Sequence, residues 1–463
     1  MAAFSLLSLL LVGRLIGPAA MGAATTALAG FLILDVLAAS LFTDALVQHP
    51  TAGPRHAGSA LTAGTLAGGA AALLLAGLGP LLAAGSGVPE VAPLTWALAP
   101  LLPLSAWSGA MAGLVLREHR FALLAARALL GQPLALAVGL AVAEAGGGAW
   151  AMIANQAAAT LATFVLLLAL AGSRGWPRLD RSALRDLWPV AGPQIAAVAV
   201  LVGKYRMFLL ALGFTAGQSA MALSHVAFRL LDGVLVIVFQ SISRIALPRL
   251  CAEARGATPA ERHRLAEAFG DIAQLHALLG LPLAVGTALV APAMVQGLLG
   301  PEWAAAAAAT QVVGFAAAAG FLNGDVGSLF VALGKARWNL VAALVGLVLP
   351  LVLLAVLRPQ TPAAVAWCWA SQSLLLPPVL AWLSLREIGR APLWLLRRTA
   401  PALMATAAMA AAVLLVQALP ALRPLTELMV SAVVGAAVYA AVAAAALGLR
   451  LPAGLLPRLM AAA

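Results

Sequence analysis

Loops along this chain alternate in charge. Between successive apolar stretches every second loop carries arginine or lysine, and nearly all of the others carry neither. About fourteen such stretches are read, at 2–16, 22–42, 59–84, 92–116, 121–142, 149–171, 190–214, 219–239, 265–299, 304–333, 340–357, 363–385, 400–419 and 428–449. Of the 27 basic residues, 21 fall on one side of the alternation, 3 on the other (Arg14, Arg358, Arg423) and 3 inside stretches (Lys204, Arg206, Arg229). An excess of this kind marks the cytoplasmic loops of a polytopic membrane protein. The pattern therefore predicts an all-α membrane protein of about fourteen transmembrane helices with both termini in the cytoplasm. The basic loops are 116–120, 173–186, 251–264, 334–337 and 386–398; GSGVPE (85–90), EAGGG (144–148), GFTAGQS (213–219) and GPEWA (300–304) lie opposite.

Composition closes off other classes. The chain is 63% hydrophobic and 9% charged, whereas soluble domains are roughly a quarter charged. A spanning helix takes about 20 residues, and no loop is long enough to hold a soluble domain. The formal charge of +11 then belongs to loops facing anionic headgroups, not to a nucleic-acid surface. Cys251 and Cys368 have no metal-ligand spacing, and the six histidines form no HExxH or other paired arrangement. There is no Walker A loop, nucleophile elbow or dinucleotide fingerprint. No enzyme, metal or cofactor is expected. The first stretch is short for a span and lacks the basic start of a signal peptide; it is read as a first helix without its N-terminal half.

An internal repeat points to two lobes. At an offset of 217, Arg120, Leu123, Ala125, Ala126 and Pro133 lie over Arg337, Leu340, Ala342, Ala343 and Pro350. The same offset puts Ala149-Trp150 over Ala366-Trp367. A repeat over an even number of helices relates the halves by an axis along the membrane normal. The expected division is an N-lobe at 1–172, a cytoplasmic linker at 173–188, a C-lobe at 189–389, and two further helices with a tail at 390–463. Residues 176–188 are read as a short amphipathic surface helix. Pro133, Pro282, Pro350 and Pro377-Pro378 are expected to bend their helices, and Gly64-x-x-x-Gly68 to allow close helix packing.

GRLIGPAAMG (13–22), ALVQHP (45–50), VLREHRFALLAARALLG (115–131), GAWAMIANQ (148–156), AFRLLD (227–232), SRIALPRL (243–250), GPEWA (300–304) and LGKARWN (333–339) occur in an order that resembles Wzx-type oligosaccharide flippases. These are polysaccharide transport proteins of the multidrug/oligosaccharidyl-lipid/polysaccharide exporter superfamily. The resemblance covers nearly the whole chain. It departs at AASLFTD (38–44) and at Lys204-Tyr205-Arg206, where the family often has polar Asn or Asp. It implies two six-helix lobes in a V around a central cavity, with two extra helices. It also implies movement of undecaprenyl-pyrophosphate-linked oligosaccharide across the bacterial inner membrane by alternating access. Membrane lipids, a polysaccharide polymerase and glycosyltransferases are the implied partners. A multidrug or small-solute exporter is the alternative within the fold.

On this resemblance the intramembrane ions become the candidate site, because charge at bilayer depth costs about 2.5–3.5 kcal/mol on insertion scales. Arg229, with Lys204 and Arg206, is the expected pyrophosphate-binding set, since a guanidinium fork matches phosphate oxygens. Against this, Arg229 and Asp232 at i,i+3 can form a structural pair. Asp232, Asp325 and Asp35 are the candidates for H⁺ or Na⁺ coupling. The alternative for Asp35 and Asp325 is a hydrogen-bonded carboxylate inside a lobe.

Overall fold

The computed structural model describes residues 2–171, 178–254, 258–419 and 422–448. Trp176, the first part of the 173–188 connection and the tail from 449 onward lie outside the described residues. Among those described there are sixteen α-helices, one 3₁₀ turn and no strand. The helices are α1 (Ala2–Ser40), α2 (Thr43–Gln48), α3 (Pro54–Ser86), α4 (Val91–Leu98), α5 (Leu101–Arg117), α6 (Phe121–Glu144), α7 (Trp150–Ala171) and α8 (Arg181–Thr215). They continue with α9 (Gly217–Glu253), α10 (Pro259–Leu299), α11 (Ala306–Phe321), α12 (Val326–Ala332), α13 (Arg337–Leu357), α14 (Pro362–Glu387), α15 (Pro392–Gln417) and α16 (Pro424–Ala446). The fourteen expected stretches fall in helices over most of their described length, the fourth dividing into α4 and α5 and the tenth into α11 and α12. Eleven helical spans among the described residues are long and apolar enough to cross a membrane. The 35 residues of α8 and the 37 of α9 also exceed the length a bilayer demands.

The helix breaks are local chemistry. The first two stretches are one helical run, interrupted at Gly17, whose φ of 75° and ψ of 170° lie outside the helical region. Glycine takes that φ without steric cost, and Pro18 starts the next turn with no N–H to leave unsatisfied. The tenth stretch divides into α11 and α12. Gly324, at φ 66°, allows the turn, and Asp325 caps α12 by accepting from the Ser328 backbone N–H at 3.0 Å and hydroxyl at 2.7 Å. Pro54, Pro259, Pro362, Pro392 and Pro424 open their helices. The interior prolines singled out from sequence leave α6, α10, α13 and α14 uninterrupted. At α10, Thr258 and Glu261 complete a capping box.

Contacts divide the chain into two compact units, Met1–Ala222 and Leu223–Ala463. In the first, glycines set the helix spacing. A Cβ on Gly68 would lie 2.7 Å from Pro103 Cα, so the Gly64/Gly68 pair lets α3 approach α5. A second pair, Gly109 and Gly113 on α5, packs against Ala39 and Thr43, and the Thr43 hydroxyl donates to Gly109 O at 2.9 Å. In both contacts α5 runs seventy residues ahead of its partner, which makes the end of α1 and α5 parallel neighbours.

In the second unit α10 is the central element. It packs on α11, α15 and α16. Gln417 Nε2 donates to Leu289 O at 2.8 Å and the Tyr439 hydroxyl to Leu278 O at 2.6 Å. These bonds fasten α15 and α16 to α10. Phe269, Ile272 and Ala273 of α10 form a buried apolar cluster with Ile242 and Ala246 of α9 and with Leu329 and Phe330 of α12.

Candidate functional site

The parallel seam of α1 and α5 continues one turn upstream of Ala39 and Gly109 to Asp35 and Ser105. The Ser105 hydroxyl lies near the Asp35 carboxylate, and Arg206 on α8 acts on it electrostatically. Asp35 Oδ1 is shut off from solvent and has no hydrogen-bond partner among the described residues. A small cleft lined by Ile33, Val36 and Leu37 of α1 and Val198, Ala199 and Gly203 of α8 lies between those two helices. It has room for about one water molecule, far below the roughly 300–1,000 Å³ of drug-sized ligand pockets, so it is not itself an oligosaccharide site. Two residues assigned different roles from sequence, Asp35 and Arg206, are thus brought together inside the first unit. Ser105 was not singled out; its offset of seventy from Asp35 becomes meaningful only once α1 and α5 are paired.

Lys204 follows on the same helix, one residue beyond Gly203, and both it and Arg206 are half-buried. In the second unit Arg229 is half-buried on α9, and Asp232, one turn on, is exposed and lies within its electrostatic reach. Asp325 is 5% exposed and is engaged as the α12 cap. His276 on α10 feels its charge. Sequence reading paired no histidine, because residues 49 positions apart share no motif. One further cation lies within a span: Arg127, assigned from sequence to the basic side, sits inside α6, and its Nε is buried without a hydrogen-bond partner. The turn signal Asn323-Gly324-Asp325 and the Asp-x-x-Ser cap after it were legible in the sequence as a helix break.

Charges at the loop ends of both units hold helices together. Arg117 donates to the carbonyls of Leu46, Val47, His49 and Pro50, which α2 and the turn after it leave exposed. His56 accepts from the Gly53 N–H at 3.2 Å and lies 3.4 Å from Asp186, tying α3 to α8. With His49 stacked on His56 at 4.6 Å, the three groups could converge on a metal ion. However, His56 is already hydrogen-bonded at both ring nitrogens, and Arg55 shares Asp186 at 3.6 Å. At the start of α8, the hydroxyl and backbone N–H of Ser182 hold the Asp180 carboxyl below its usual range. In the second unit Asp271 joins Arg249 at 3.0 Å to Arg398 at 3.2 Å, and Glu267 joins Arg398 to Arg390. Trp394 lies between the two latter arginines, 5.3 and 5.5 Å from them. Trp107 packs edge-on against Phe164.

Comparisons with known proteins agree on fold and family. The fold is similar to that of the lipid II flippase MurJ in an inward closed conformation, with a TM-score of 0.79 at 11% identity over 96% of each chain. An inward-facing multidrug resistance MATE transporter of the MOP superfamily gives 0.64 at 13% identity, over 84% of this chain and 95% of that one. The eukaryotic MATE transporter AtDTX14 gives 0.51 at 14% identity, over 87% and 94%. The sequence matches no curated protein. The family model described as polysaccharide biosynthesis protein matches residues 11–308. This multi-pass membrane protein therefore belongs to the polysaccharide biosynthesis protein family, on the fold that MurJ and MATE transporters share.

Proposed function

We propose that this protein is a flippase that carries undecaprenyl-pyrophosphate-linked oligosaccharide across the bacterial inner membrane for surface polysaccharide synthesis. The observation that carries the reading is the family match together with half-buried cations, Lys204, Arg206 and Arg229, on two membrane helices. Arginines at membrane depth suit a pyrophosphate, because a planar guanidinium engages two phosphate oxygens at once. In this reading Asp35 holds Arg206 while no substrate is bound, and phosphate displaces the carboxylate. The basic loops and both termini face the cytoplasm, as the charge alternation requires. The repeat at 120–155 and 337–372 supports a division of the helices into two lobes. A polysaccharide polymerase and glycosyltransferases act on the two sides of the same lipid-linked unit. Transport is ion-coupled, with Asp35, Asp232 and Asp325 as the carboxylates available to it.

The likeness to a MATE transporter at a TM-score of 0.64 supports a second reading, export of small organic solutes. A deletion strain separates the two. Accumulated lipid-linked oligosaccharide with lost surface glycan, restored by wild type but not by Arg229→Gln, is the result expected of a flippase. Intact surface glycan with increased sensitivity to organic cations would replace that reading with the exporter.

A further inference from the structure

We propose that His276, facing Asp325 at the break between α11 and α12, is a proton-binding site inside the second unit. The ring is 0% exposed. Its Nδ1 lies 3.2 Å from Ile272 O. A carbonyl oxygen can only accept, so Nδ1 carries the hydrogen and the neutral ring presents a bare lone pair at Nε2. Nε2 is buried and has no hydrogen-bond partner among the described residues. The carboxylate that acts on it is Asp325, itself 5% exposed. Both Asp325 oxygens already accept from Ser328, so Asp325 as a carboxylate has no hydrogen to offer. The turn that carries Asp325 packs on α10 one turn before His276: a Cβ on Gly324 would lie 2.7 Å from Ala273 Cβ, Ala273 and Ile272 share an apolar cluster with Val326 and Leu329, and the Phe239 ring lies 5.3 Å from the imidazole.

What reconciles two buried acceptors is a cation. An imidazole nitrogen beside one carboxylate suits H⁺; a hard cation such as Na⁺ or Mg²⁺ would ask for a shell of oxygens. A hydronium ion gives its proton to the Nε2 lone pair, so one O–H bond breaks, one N–H bond forms and a water molecule is left. The pair passes from neutral imidazole and carboxylate to imidazolium and carboxylate, so the local charge rises from −1 to 0. Other titratable groups that the packed helices bring to this part of α10 are already engaged. Asp271 of α10 pairs with Arg249 of α9 and Arg398 of α15, and the Tyr439 hydroxyl of α16 donates to Leu278 O. Asp325 sits at the end of a broken membrane helix, and broken helices in transporters bind their coupling ions. Protonation would draw α10 and the start of α12 together and loosen again on release. Proton binding stands on the local geometry; its coupling to flipping rests on the function proposed above.

The test is an infrared difference titration of histidine-labelled full-length protein in lipid nanodiscs, from about pH 4 to pH 9. The expected result is a histidine transition that disappears in His276→Gln and moves to lower pH in Asp325→Asn. Asparagine keeps the helix cap while removing the charge, so that variant decides even if His276→Gln does not fold. Absence of a His276-dependent transition overturns the site, and an unmoved transition in Asp325→Asn overturns the pairing. A transition displaced by added Na⁺ at constant pH would make it a sodium site instead. In proteoliposomes holding lipid-linked oligosaccharide, His276→Gln is expected to bind substrate but lose pH-gradient-driven flux. If wild type moves no such lipid while the titration behaves as expected, the flippase reading fails and the proton site remains.

Discussion

Replacing Gly109 with alanine puts a methyl group where α5 meets the end of α1. The new Cβ would overlap Ala39 O and lie 2.6 Å from Ala39 C and 2.7 Å from Ala39 Cα. Carbon atoms rest at about 3.5–4.0 Å, and these are backbone atoms that no rotamer change can move. The helices must separate by about 1 Å, which also stretches the Thr43 hydroxyl bond to Gly109 O. Overpacking of this kind costs about 1–3 kcal/mol. Gly69→Ala on α3 is the control. Its Cβ meets nothing within 4 Å, and alanine in a helix interior gains roughly 0.5–1 kcal/mol over glycine. The two variants should therefore differ by about 1.5–4 kcal/mol. At about 2–4 °C per kcal/mol for a unit of this size, Gly109→Ala should unfold roughly 2–12 °C below wild type and Gly69→Ala at or above it. Thermal unfolding in detergent, followed by fluorescence-detected size exclusion at one heating rate, reads both. A Gly109→Ala protein as stable as Gly69→Ala would refute the close parallel seam of α1 and α5.

Arg206→Gln and Arg229→Gln should fold, bind lipid-linked oligosaccharide about 10- to 150-fold more weakly by equilibrium binding in nanodiscs, and fail to restore surface glycan. That range corresponds to the 1.5–3 kcal/mol of a hydrogen bond to a charged group; unchanged affinity in both would remove them from the substrate site. Asp271→Asn should lower stability by about 1–3 kcal/mol, since it leaves Arg249 and Arg398 facing each other without their shared anion. A double-mutant cycle with Arg398→Gln should be clearly non-additive, and additive losses would show that the pair is uncoupled. Asp180 is a carboxylate whose ionised form the Ser182 donors favour. Its contribution to the first turn of α8 should be complete above the ordinary aspartate range and be lost as pH falls through its lower folded value. Hydrogen exchange at Ser182 and Ala183, corrected for intrinsic rates, should report the loss in wild type and a pH-independent frayed turn in Asp180→Ala.

The class of this protein, an all-α membrane protein of many apolar helices, was legible without coordinates. Bilayer thickness fixes how many apolar residues a span needs, and the charge bias of the loops records on which side each was left. The length requirement acts on local sequence, so local reading recovers the apolar helices. Helix ends were recovered less well, because sequence reading weighed proline as a bend and not as a helix start. The turn signal at Asn323-Gly324-Asp325 was passed over because it lies inside a long apolar stretch. Lys204, Arg206, Arg229, Asp35, Asp232 and Asp325 stood out because ions are rare at membrane depth. Their neighbours did not. Ser105 comes near Asp35 because a glycine pair lets α5 lie against the end of α1, and Asp325 comes within electrostatic reach of His276 because Gly324 turns the chain against Ala273. Pairings between residues seventy and 49 positions apart depend on which helix faces lie together. That choice is made by packing small residues against backbone, a property of two surfaces at once that no single stretch of sequence contains.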